Sequence, residues 1–80
     1  MREDSLPTDL MTLKLEGSEL TKTEKTVLRL LARGHTLERT GQLLGTSRET
    51  VKSQVRVARG RLNARNTTHA VAIAVSLDLI

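Results

Sequence analysis

A helix stop and a helix start stand one residue apart at Gly45-Thr46-Ser47. Glycine supplies the left-handed conformation that ends a helix, and a serine hydroxyl caps the amides that open the next. Before this turn, Thr36 is placed to cap a segment with Leu37, Gly41 and Leu44 inward. After it, Val51, Val55, Ala58 and Leu62 recur at i, i+4, i+7 and i+11, one narrow apolar stripe. The spacing predicts a helix from Ser47 to about Leu62, stopped by Asn63, which tolerates the left-handed conformation. Two helices joined by about three residues containing Gly form a helix-turn-helix, although other helical hairpins use similar turns.

Two further helices flank this pair. Thr21-Lys22-Thr23-Glu24 fits a capping box, with Val27, Leu28 and Leu31 on one face and Gly34 as the stop. A fourth helix is predicted from Asn66 or Thr67 towards Leu77, and it is apolar nearly all round. Ala70, Ile73, Ala74 and Leu77 make the stripe expected to face the core, which leaves Val71, Val75 and Asp78 outward. The predicted fold is all-α, a four-helix helix-turn-helix domain over residues 20–80. Residues 1–19 form an acidic leader with Pro7, Gly17 and scattered leucines. The leader is expected to be a disordered arm, the alternative being an apolar segment that packs on the domain.

Composition removes several functions. The 80 residues contain no cysteine, so disulfide frameworks, thiolate metal sites and a cysteine nucleophile are absent together. His35 and His69 lack the short spacing of a zinc pair. With no nucleophile–base pair and no phosphate loop, no enzyme, metal or cofactor is expected. The start of the chain is acidic rather than a signal peptide. The longest apolar run, residues 70–75, falls far short of the roughly 20 residues a membrane helix needs. A cytoplasmic protein without membrane contact is expected.

Charge is uneven along the chain. Residues 1–20 carry two basic and five acidic side chains, whereas residues 46–66 carry six and one. Such a basic centre favours a polyanionic partner, the alternative being a solvated charged surface. At 100° per residue, the face opposite the stripe holds Glu49, Lys52, Ser53, Arg56 and Gly60. Arg48 and Arg59 flank the stripe on one side and Arg61 on the other. A helix buried on one face and presenting Lys52 and Arg56 on the other has the shape that enters a major groove. Arginine reads guanine through a bidentate fork to O6 and N7. Arg29, Arg33 and Arg65 fit phosphate contacts or plain surface.

The run from Leu20-Thr21 and Glu24 through residues 27–32, Gly34 and Leu44-Gly45 resembles the LuxR/GerE-type helix-turn-helix domain. The likeness continues through Ser47, Thr50-Val51-Lys52, Arg61-Leu62, Arg65-Asn66 and Ala70-Val71, with no gap in spacing. It implies a DNA-binding domain of transcriptional regulators whose fourth helix commonly mediates dimerisation. By position, base reading falls on Lys52, Ser53 and Arg56, and phosphate contacts fall near Thr21, Ser47 and Thr50. Arg48 and Arg59 are expected to flank the DNA as well.

Three departures stand out. The family's Glu-Ile-Ala appears as Arg39-Thr40-Gly41, which removes a capping carboxylate and a buried branched side chain and predicts a weaker second helix. A frequent histidine is Gln54, and the arginine before the fourth helix is Thr67. Residues 36–62 are also similar to sigma-factor region 4, which reads a promoter element and docks on RNA polymerase. The tail from Ala64 to Val71 separates the two and favours LuxR/GerE. The leading expectation is therefore a homodimer on double-stranded DNA, paired through Val71, Ala72, Val75 and Asp78 of the fourth helix. The alternative is a module that docks on RNA polymerase or another regulator.

Overall fold

The computed structural model describes residues 20–80, so the leader expectation lies outside the described residues. Four helices follow one another: α1 (Lys22–Ala32), α2 (Leu37–Leu44), α3 (Arg48–Arg61) and α4 (Thr67–Ser76). No strand occurs among the described residues.

Each helix opens on a side-chain cap. Thr21, Thr36, Ser47 and Asn66 accept hydrogen bonds of 3.0, 3.0, 3.1 and 2.8 Å from the amides of Glu24, Arg39, Thr50 and His69. These bonds satisfy donors that a helix start otherwise leaves without partners. The first cap is reciprocal, because the Glu24 carboxylate accepts from the Thr21 amide at 3.0 Å. At α2 the third helical residue is Arg39, so the cap is one-sided, in line with the missing carboxylate.

All four helices also end in one device. Gly34, Gly45, Asn63 and Asp78 adopt positive φ values of 96°, 71°, 56° and 60°. The amide after each reaches back five residues: His35 to Leu30, Thr46 to Gly41, Ala64 to Arg59 and Leu79 to Ala74. This is the Schellman turn, and it satisfies the last carbonyls of each helix. Three of these stops match the sequence expectation. For the fourth helix the sequence names no stop residue; Asp78, expected outward at its edge, is exposed, and it also ends the helix and turns Leu79 and Ile80 back against the core.

The apolar side chains gather in two clusters. Val27, Val51 and Val55 form one, with Leu31, Leu37 and Leu44 packed against it. Leu20, Leu28, Ala58, Leu62, Ala70 and Ala74 form the other, joined by Ala64, Val71, Ile73, Leu79 and Ile80. The predicted stripe of α3 is thus buried along its length, its first half in one cluster and its second half in the other. Leu28 is fully buried, a placement worth roughly 1.5–3 kcal/mol. The α4 stripe needs one correction: Ala70 and Ala74 are buried and Ile73 partly so, but Leu77 is 38% exposed. The helix ends at Ser76, so Leu77 caps it and no longer follows the helical face.

The α2 departures also read differently once folded. A Cβ on Gly41 would stand 2.7 Å from the Thr46 carbonyl oxygen and 3.2 Å from the Ser47 carbonyl carbon. The glycine expected to weaken the helix is what lets the turn into α3 close this tightly. Thr40 is fully buried, and its hydroxyl has no hydrogen-bond partner. A buried hydroxyl without a partner costs stability.

Candidate nucleic-acid interface

The start of α3 is set by Ser47. Its hydroxyl accepts from the Thr50 amide and donates to the Thr50 hydroxyl at 3.0 Å, fixing both side chains at the helix tip. The first turn then carries the exposed pair Arg48 and Glu49, whose charged groups approach to 3.4 Å. An exposed pair like this contributes little to stability and leaves the arginine able to change partners.

Beyond that turn, Lys52, Ser53 and Arg56 are all exposed, together with Gly60. Val51, Val55, Ala58 and Leu62 are buried behind them. The three side chains assigned to base reading therefore share one solvent-facing surface of a helix anchored from behind. No atom lies within 4 Å of where a Gly60 Cβ would sit, so nothing in the domain itself requires a glycine there.

The flanking positions divide. Ser47, Arg48 and Thr50 are exposed at the tip of α3, next to the face that carries Lys52, Ser53 and Arg56. Thr21 is exposed too, but at the start of α1, with its hydroxyl and amide both engaged in the capping box. Arg59 is half-buried, and its Nη2 donates to the Arg65 carbonyl at 3.1 Å, tying α3 to the segment before α4. His69 braces the same segment, its Nδ1 accepting from the Arg65 amide at 3.1 Å. Arg61 lies 3.7 Å from the buried Glu24 carboxylate, which links the end of α3 to the start of α1.

Sequence reasoning missed a cleft of about 160 Å³ beside the exposed face, lined by Leu37, Lys52, Val55, Arg56, Arg59 and Thr67. Its signal was Thr67, a short side chain where the family resemblance has arginine. The proposed pairing residues are also uneven: Ala72, Val75 and Asp78 are exposed, Val75 to 57%, whereas Val71 is half-buried against the core. Among the described residues no group of three or more His, Cys, Asp or Glu could hold a metal ion. No described helix is long and apolar enough to cross a membrane.

Residues 18–74 match the family model described as bacterial regulatory proteins, luxR family. No curated protein and no solved structure matches the chain significantly.

Proposed function

Because the chain belongs to the luxR family of bacterial regulatory proteins, whose helix-turn-helix domains bind DNA, we propose that it is a sequence-specific, homodimeric transcriptional regulator. In this reading α3 lies in the major groove, with Lys52, Ser53 and Arg56 against base edges. The observation that carries it is the exposure of those three side chains on a helix whose opposite face is wholly buried. Ser47, Arg48 and Thr50 at the helix tip, with Thr21 and Arg59 further out, contact the phosphate backbone and fix register without specifying sequence.

Pairing runs through α4 and the turn that ends it, where Ala72 and Val75, then Leu77 and Asp78, meet a second copy about a two-fold axis. The exposure of Val75 and Leu77 supports this. Val71 contributes from the edge of the core. Such a dimer reads two half-sites about one helical turn apart.

In-vitro selection from a random duplex pool, at about 150 mM salt to weaken nonspecific phosphate binding, tests the proposal. The expected product is an inverted repeat with half-sites roughly 10 bp apart. A single asymmetric element would replace this reading with one resembling sigma-factor region 4 and docking on RNA polymerase. Failure to enrich any sequence would overturn specific recognition by this chain.

A further inference from the structure

The outward side of α3 carries two rows at spacing i, i+4, i+7, which keeps side chains in line along a helix. One row is cationic, Lys52, Arg56 and Arg59. The other is Ser53, Val57 and Gly60, every member short and exposed. At 100° per residue, Arg56 and Val57 lie about 50° to either side of the line opposite the buried stripe. A surface that meets Arg56 therefore meets Val57 as well.

Nothing within the domain accounts for Val57. It is 46% exposed and belongs to neither apolar cluster. A β-branched residue is also a poorer helix former than alanine. Its neighbours along the row, Ser53 and Gly60, have no bulk, and nothing lies within 4 Å of where a Gly60 Cβ would sit. No long side chain in this row holds the helix away from what it approaches. A helix lying in the major groove reads bases through positions i, i+3, i+4 and i+7, which here are Ser53, Arg56, Val57 and Gly60. Of the four bases, only thymine presents an apolar group in that groove, its C5 methyl.

We infer that Val57 is a specificity-determining residue that packs on a thymine methyl, beside the base that Arg56 contacts. The inference rests on the DNA-binding reading and extends it to a residue to which the family resemblance gives no role. Arg56 selects through hydrogen bonds, whereas Val57 selects by removing a methyl group from water. Gly60 lets the helix come close enough for so short a side chain to reach.

The test uses the full chain and its selected duplex, with each thymine in turn replaced by deoxyuridine. This exchange removes the methyl and keeps every hydrogen-bonding group. At one position in the half-site, deoxyuridine is expected to weaken wild-type binding about fourfold, the worth of one buried methyl group. Val57→Ala is expected to keep the fold, alanine being the better helix former, to weaken the thymine duplex, and to bind both duplexes equally. Gly60→Leu, whose Cβ meets no atom of the domain, is expected to keep the fold and lose the same thymine preference. The assignment is overturned if the selected half-site holds no thymine or if no deoxyuridine weakens the wild type. It is also overturned if Val57→Ala still loses fourfold on the deoxyuridine duplex. Any of these results on a duplex that is bound specifically leaves the DNA reading standing. If selection enriches no sequence, the DNA reading fails and the role of Val57 falls with it.

Discussion

Thr40 offers the sharpest test of how this small domain is held together. Its side chain is fully buried in α2, and its hydroxyl has no hydrogen-bond partner. Replacing Thr40 with valine keeps the branched shape and removes only the unmatched polar atom. A buried hydroxyl without a partner costs roughly 1–3 kcal/mol, and valine and threonine differ little in helix propensity. Thr40→Val should therefore stabilise the fold by about 1–2 kcal/mol, or roughly 4–8 °C in Tm for each kcal/mol in a domain of this size. Thr40→Ser makes the opposite change, keeping the hydroxyl and deleting the methyl, and should cost about 1 kcal/mol. Both are measured by thermal and urea unfolding followed by circular dichroism at 222 nm. Protein concentration is held fixed, since self-association adds to apparent stability. Equal m-values would show that the unfolded state is unchanged. If Thr40→Val lowers Tm while Thr40→Ser is neutral, the hydroxyl has a native partner and the reasoning collapses.

The other expectations are simpler. Gly41→Val should destabilise by about 1–3 kcal/mol, because even its Cβ would meet the Thr46 carbonyl oxygen at 2.7 Å; an unchanged Tm would mean the turn has slack. Asn66→Ala should cost about 1 kcal/mol by removing the 2.8 Å cap on the His69 amide, with amide exchange rising first in α4. At the DNA, Arg56→Ala should weaken a selected site by about 1–3 kcal/mol and relax its sequence preference. Arg48→Ala should weaken all duplexes alike and flatten the salt dependence by about one unit. Identical specificity profiles for the two variants would refute the assignment of Arg56 to bases.

What was legible in the sequence was local. Thr21, Thr36, Ser47 and Asn66 announce helix starts within four residues of chain, and Gly34, Gly45 and Asn63 announce stops just as locally. The stripe from Val51 to Leu62 followed from periodicity, and with it the exposed face bearing Lys52, Ser53 and Arg56. What was missed depends on where distant segments meet. Asp78 lacks the glycine or asparagine signature of a stop, and it becomes one because the left-handed turn brings Leu79 and Ile80 onto the core. Gly41 reads as a propensity defect until the Thr46 carbonyl lies against it. The tie from Arg59 to the Arg65 carbonyl, and the cleft beside Thr67, arise only when α3, α4 and the start of α2 converge.

The division of the core has a consequence for how such a protein can change over generations. The first half of α3 rests on one cluster with α1 and α2, and the second half rests on another with α1 and α4. Val51 and Val55 support the stretch that carries Lys52 and Arg56, while Ala58 and Leu62 support the stretch beneath α4. Substitutions that resculpt α4 beyond its first residue, Thr67, thus leave the floor beneath Lys52 and Arg56 intact. Under the proposed reading, partner choice and target vocabulary can drift separately, and a single rod of fourteen residues carries both inheritances.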